Sequence, residues 1–397
     1  MTKYIICLGD GMSDEPIKEL GNKTPIEAAT IPAMTQFAEK GSVGRVHTVP
    51  KGLHPGSDVT NMGILGYNPH NYYTGRGPIE AASMGITTTP DEVIFRCNLV
   101  TIENNIMKDF TAGHISNEEG AALLNELNTH FKGKGVTFYP GVGYRNIVVL
   151  DKKFNSLTTT APHDITDQST TPYLPKGDTQ SEIEKFIEEC HQILKNSPIN
   201  KQREKENKKP ANNIWPWSQG KMPILPSFKD THGLTGGIIT AVDLLKGLGV
   251  LAGLETPSIE GATGFIDTNY KSKLDAAFSV LETHDFVYIH IEAPDECGHM
   301  GDFKLKTQAI SDFDKNIINP VLSYATQNTD TAVLILPDHP TPCAIKTHTS
   351  DPVPFIIYHP KLSPNSISSY SEKSSLESNL EFKTPWELLS YFLKPSN

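Results

Sequence analysis

Short, largely apolar runs that end at glycine or at a metal-type side chain constrain this chain most. Tyr4-Ile5-Ile6-Cys7-Leu8 leads into Gly9-Asp10-Gly11. Phe286 to Ile291 leads towards Asp295 and His299, and Thr331 to Leu336 leads into Pro337-Asp338-His339. Runs of this length without regular polar alternation read as strands buried on both faces, as in a sheet covered by helices on either side. In an open α/β sheet the carboxyl ends of the strands meet at one edge, where ligands bind. Residues hundreds of positions apart can therefore share a site. Asp10, Asp295, His299, Asp338, His339 and His348 all stand near such ends, and Ser57 opens a helix-like segment after Pro55-Gly56. These residue types could hold two divalent metals with a nucleophile between them.

The remaining pattern places this edge in a larger plan. Pro25 to Lys40 reads as one helix, with Thr24 as N-cap and Gly41 as its stop. From about Val93 the texture turns α+β: strand-like pieces at 95–102, 137–140 and 146–150 surround helical patterns at 117–131 and 182–194. Lys201 to Lys209 reads as a solvated loop. Parallel βα texture returns from Gly233, with Ile238 to Leu254 as a buried helix and strands at 286–291, 331–336 and 353–358. Ser363 to Ser378 reads as a surface loop. The expected organisation is a discontinuous α/β core, 1–92 with 206–397, interrupted by an inserted cap domain over 93–205. Such a cap would shut water away from the strand ends.

Composition narrows the function. With 397 residues the chain can bury a sizeable core, and its net charge of −11 does not suggest a nucleic-acid surface. Five scattered cysteines without a C-x-x-C pair point to a reducing cytoplasm rather than to a disulfide framework. No segment reads as a signal peptide or a membrane span. Pro294 and Gly298 favour a loop for Asp295 and His299, whose i, i+4 spacing would serve one metal on either a loop or a helix. Ser57 needs activation, because a free hydroxyl is a weak nucleophile at neutral pH. A helix N-terminus beside it would favour negative charge and bind phosphate.

The segments Gly9-Asp10-Gly11-Met12, PGSDVTNMGILGY (55–67), YTGRGPIEAASMG (73–85), AGHIS (112–116), NIWPWSQGKMPILPSF (213–228), Ala293 to His299, Pro337-Asp338-His339 and HTSDPVP (348–354) resemble one known family in order and nearly end to end. It is the archaeal-type, cofactor-independent phosphoglycerate mutases of the alkaline-phosphatase-like metalloenzyme superfamily. The resemblance implies an alkaline-phosphatase-like α/β core sheet with helices on both faces. It implies one metal held by Asp10, Ser57, Asp338 and His339 and a second by Asp295, His299 and His348, the metal being manganese, magnesium or zinc. It also implies transfer of the phosphoryl group of 3-phosphoglycerate to Ser57 and back to the 2-hydroxyl of retained glycerate. A small phosphorylated carboxylic acid needs cations. Arg76, Arg145, Lys221 and the pair His163-Asp164 are the candidates, each weighed against a structural ion pair or a surface turn. Arg96 and His114 lie in family-like segments without an assigned role. Two rival activities use the same serine and metals: transfer to another acceptor, as in a proposed homoserine kinase, or simple phosphatase action. The chain lacks a P-loop, which argues against an ordinary nucleotide site. A homo-oligomer is left open. Pro216 and Ser218 depart from the family's aliphatic residue and glycine.

Overall fold

Among the described residues there are twelve strands: β1 (Lys3–Gly9), β2 (Ser42–Val46), β3 (Glu92–Glu103), β4 (Ile106–Asp109), β5 (Thr137–Val142), β6 (Arg145–Asp151), β7 (Asn213–Gly220), β8 (Gly236–Ile239), β9 (Phe286–Ile291), β10 (Thr331–Leu336), β11 (Val353–Tyr358) and β12 (Glu381–Phe382). The computed structural model describes residues 2–394. They divide into a discontinuous unit, Met1–Tyr73 with Ile224–Asn397, and an inserted unit, Thr74–Pro223. The insert is thus wider than the expected 93–205. The helix Arg76–Ser83 packs on β3, and β7 pairs with β3, so both belong to it.

In the discontinuous unit the sheet order is β12-β2-β11-β10-β1-β9-β8. β1 lies between β10 and β9 and is parallel to both, with Ile6 opposite Leu334 and Tyr288. β11 departs from the parallel reading: it runs antiparallel to β10 and to β2. Residues 337–352 form no helix. Without a crossover the chain returns beside β10 in the opposite sense. The two faces are filled as alternation requires. Ile5, Cys7, Val287 and Ile335 join Phe37 and Phe313 in one core layer. On the other face Tyr4 packs edge-on against Phe392, and Tyr288 donates to Asn61 of the helix Ser57–Ile64.

Several local expectations change. Pro25 to Lys40 is two helices, Pro25–Ala28 and Pro32–Lys40, because Pro32 disfavours helical backbone at Ile31 (φ −126°, ψ 54°). The second helix has no cap of its own. Asp314, in a π-helical turn at Asp314–Ile318, accepts from the N–H groups of Ala33 and Met34 instead, at 3.1 and 2.7 Å. Ile238 to Leu254 is the end of β8 followed by the helix Asp243–Leu251. Ser363 to Ser378 is not wholly a surface loop. It buries Tyr370, Ser371, Ser374 and Ser375 around the short helix Glu372–Ser375, and Glu372 accepts from Asp14 N–H and the Thr24 hydroxyl.

In the inserted unit β3 pairs antiparallel with β4, β6 and β7, and β5 pairs with β6. The helix Gln180–Asn196 presents Ile183, Ile187, Cys190 and Leu194 at helical spacing to Phe95, Cys97 and Leu127. The charged run that read as a solvated loop begins inside the helix Pro198–Lys205. Arg203 there is 2% exposed. Its guanidinium donates to the carbonyls of Ala112 and Lys209, at 2.7 and 2.9 Å, and pairs with Glu119. Composition alone does not separate one buried cation from its solvated neighbours. Arg203→Leu strands those acceptors and is expected to cost about 3 kcal/mol. Urea denaturation should show a lower midpoint at unchanged slope. Among the described residues no helix is long and apolar enough to cross a membrane.

Candidate metal centre and nucleophile

The three central strands end together and bring their polar followers to one edge. Asp10 follows β1, and its N–H donates to Ile291 at the end of β9 (2.9 Å). Asp338 and His339 follow β10 once the strand has ended, so both can turn towards the same point. Asp295 and His299 lie on the helix Ala293–Met300, not on the expected loop. Pro294 sits in the first turn, where its missing N–H costs nothing, and Gly301 (φ +73°) ends the helix, so neither residue type breaks it. His348 precedes β11, and because β11 runs backwards its beginning lies at the same edge.

The structure brings all six together in two groups. Asp10, Asp338 and His339 form one, and Asp295, His299 and His348 the other; within each, one ligand atom per residue lies within 4.8 Å of the others. Ser57 opens its helix with Gly56 as N-cap, and its Oγ lies 3.1 Å from His339 Nε2. Asp338 Oδ1 accepts from Gly11 and His339 N–H (3.1 and 3.0 Å). Its Oδ2 accepts from Asn61 and Thr60 (2.8 and 3.2 Å). Asp295 Oδ2 is 3.2 Å from His299 Nε2, and Asp295 Oδ1 is 3.5 Å from His348 Nε2.

Two observations show that these residues fit cations. Asp10 Oδ1 is buried without a hydrogen-bond partner, 3.5 Å from His339 Nε2. Burial first, then the charges of Asp338, Asp295 and Glu292, push the Asp10 carboxyl well above its usual range. Carboxylates so crowded ionise together only if a positive charge sits among them. In the other group, His299 Nδ1 donates to the Lys346 carbonyl at 3.0 Å, so Nε2 is the nitrogen that faces Asp295 Oδ2 (3.2 Å) and His348 Nε2 (3.0 Å), and loss of its proton opens a lone pair to a cation there. Two imidazole nitrogens aimed at one another suit a shared cation.

Sequence reasoning missed the supports. His290, buried inside β9, holds Asp10 Oδ2 through Nε2 at 2.8 Å, and burial lowers its pKa to about 3, so it is neutral. A histidine within an otherwise apolar strand was the available signal. Lys306, fully buried, donates to Asp14 (2.9 Å) and to the carbonyls of Ser13 (3.1 Å) and Thr341 (2.8 Å). It ties the loop after β1 to the loop after β10. Lys306→Met leaves Asp14 buried and unpaired; thermal unfolding should show a loss of about 3–5 kcal/mol.

The other candidates lie in the inserted unit. Arg76 and Arg96 share Glu80, at 2.7 and 2.8 Å, and Arg145 adds its charge there. Arg96 stacks 4.3 Å from the Trp217 ring. Ser218, at φ +49° where glycine is favoured, accepts from Arg76 N–H at 3.1 Å and so fixes the start of that helix. Exposed His163 packs edge-on against Trp217 and lies 3.7 Å from Asp164. Lys221 is exposed beyond the end of β7.

A parallel-cored sheet with metal-type ligand groups and a helix-borne serine at its carboxyl edge defines the class as an α/β enzyme. Comparison with known proteins then narrows it. Residues 38–200 match the model for 2,3-bisphosphoglycerate-independent phosphoglycerate mutase. The mutase of that name from Methanosarcina acetivorans is 45% identical over 99% of this chain and 100% of its own. A probable one from Geobacter sulfurreducens is 44% identical over 98% and 99%. Among solved structures, a Pyrococcus horikoshii protein matches with a TM-score of 0.83 at 26% identity, covering 100% of this chain and 98% of its own. The cofactor-independent phosphoglycerate mutase from Thermoplasma acidophilum gives 0.69 at 25% identity over the full length of both chains. The chain belongs to the 2,3-bisphosphoglycerate-independent phosphoglycerate mutase family.

Proposed function

We propose that this chain interconverts 3- and 2-phosphoglycerate through a phosphoserine at Ser57. The observation that carries the reading is the Ser57 hydroxyl, half-buried at a helix N-terminus and 3.1 Å from His339 among the clustered ligands. Asp10, Ser57, Asp338 and His339 would hold one divalent ion, and Asp295, His299 and His348 a second; manganese, magnesium and zinc all suit mixed carboxylate and imidazole donors. When bound, such ions supply positive charge that favours the serine alkoxide and offsets charge on the phosphoryl oxygens.

The chain's own groups do the rest. The Ser57 helix adds its N-terminal partial charge beside the phosphoryl group. Ser57 Oγ forms a bond to phosphorus as the bond to the 3-oxygen breaks. Glycerate gains the proton that serine lost and stays bound. Its 2-hydroxyl then attacks phosphoserine and returns that proton, so the cycle is an isomerisation with no net consumption of water. We assign recognition of the substrate's carboxylate to Arg76 and Arg145, with Lys221, His163 and Asp164 contributing, because a guanidinium presents a bidentate fork to a carboxylate. We place the enzyme in the cytoplasm, where its five free, buried cysteines are stable.

Purified protein reloaded with metal tests the reading. Given 3-phosphoglycerate alone, it should yield 2-phosphoglycerate without added bisphosphoglycerate. Formation of O-phosphohomoserine from homoserine and ATP, or release of inorganic phosphate alone, would replace the mutase with one of its rivals.

A further inference from the structure

Thr341 is fully buried two residues beyond His339, and each of its polar atoms is engaged. Its N–H donates to the Ser13 carbonyl (3.1 Å), and its own carbonyl accepts from Lys306 (2.8 Å). Its hydroxyl lies 2.5 Å from Asp295 Oδ1 and 3.2 Å from His339 Nδ1. It therefore touches one member of each ligand group. Two glycines make room for it. A Cβ on Gly11 would lie 2.5 Å from its hydroxyl and 2.4 Å from Asp295 Oδ1, and a Cβ on Gly298 would lie 2.5 Å from its carbonyl oxygen. Real Cβ atoms do not approach so closely, and Gly11 also has φ +57°.

The hydroxyl has one proton to give. As a ligand in the two-metal reading Asp295 acts as a carboxylate, so its oxygens only accept. The Thr341 hydroxyl must donate to Asp295. It then has only lone pairs for His339, so His339 Nδ1 must carry a proton and donate to it. That fixes the tautomer, leaving His339 Nε2 unprotonated towards Ser57 and Asp10. We propose that Thr341 is a positioning residue that couples the two ligand groups, setting the tautomer of His339 in one and the carboxylate of Asp295 in the other through a single hydroxyl. This rests on the two-metal reading above.

Thr341→Val keeps the shape and removes the proton, and Thr341→Ser restores it. Manganese titration of chelator-stripped, full-length protein by calorimetry reads binding independently of turnover. Thr341→Val should weaken both sites by about 10-fold or more, the usual effect of losing a support behind a ligand, while Thr341→Ser stays near the unsubstituted protein. Unchanged binding in Thr341→Val, or weakening at one site alone, would overturn the coupling. If the unsubstituted protein bound no manganese while remaining folded, the metal reading itself would fall and this proposal with it. If Thr341→Val does not fold, imidazole nitrogen NMR of the metal-free, unsubstituted protein decides: a proton on His339 Nδ1 supports the proposal, and a proton on Nε2 overturns it.

Discussion

Ser57→Ala is expected to abolish mutase activity, by on the order of 10⁶-fold if the loss matches that seen when other enzymes lose a serine nucleophile. Only the Oγ that forms the bond to phosphorus disappears. The fold should survive, because Ser57 is the first helical residue and its side chain caps nothing; the helix enters through Gly56. Alanine is well tolerated there. Circular dichroism should therefore match the unsubstituted protein. Rapid quench and mass spectrometry of that protein with 3-phosphoglycerate should find a phosphopeptide containing Ser57, absent from the variant. A variant that kept even a tenth of the activity would rule out the phosphoserine route.

Removing divalent metal with a chelator is expected to have an effect of the same order, reversed by adding manganese, magnesium or zinc. The pH dependence of reloading provides a sharper check. In the metal-free protein, the hydrogen bond to Asp295, opposed by burial, raises the His299 pKa to about 9. Metal binding requires the neutral imidazole, so a proton must leave. Affinity should rise with pH until about pH 9 and then level off, with roughly a 10-fold gain per unit below that from this proton alone. The metal-free protein should behave in the opposite sense. A pKa raised on folding stabilises the fold fully below the unfolded histidine value, near 6.5, and that contribution is lost as pH rises through about 9. Melting temperature of the stripped protein should fall over that window. Calorimetry of metal binding in buffers of different ionisation enthalpy would reveal the released proton. A pH-independent affinity between 7 and 9 would contradict the pairing of His299 with Asp295.

Much of this site was legible because buried strands announce themselves. Tyr4 to Leu8 and Val333 to Leu336 lack the alternation of a half-exposed strand, so they had to be interior, and Asp10 and Asp338 had to lie at their ends. Gly56 before Ser57 marked a turn into a helix. The supports were not legible in the same way. Nothing in the sequence near Thr341 indicates that it meets Asp295, and Lys306 sits in an ordinary helical pattern while holding Asp14 from 292 positions away. Arg203 looks like its charged neighbours and differs from them only in what covers it.

The sequence by itself determined which elements are buried, which polar residues follow them, and that serine, aspartate and histidine of the right kinds stand at those boundaries. These are local properties of hydrophobic pattern and turn chemistry. Only the tertiary structure decided which boundaries share an edge. His348 precedes its strand, and in a parallel sheet it would lie at the opposite end from Asp338. It reaches the cluster because β11 returns antiparallel beside β10. Strand direction depends on how a connection packs over the whole sheet, and no short window of residues contains that information.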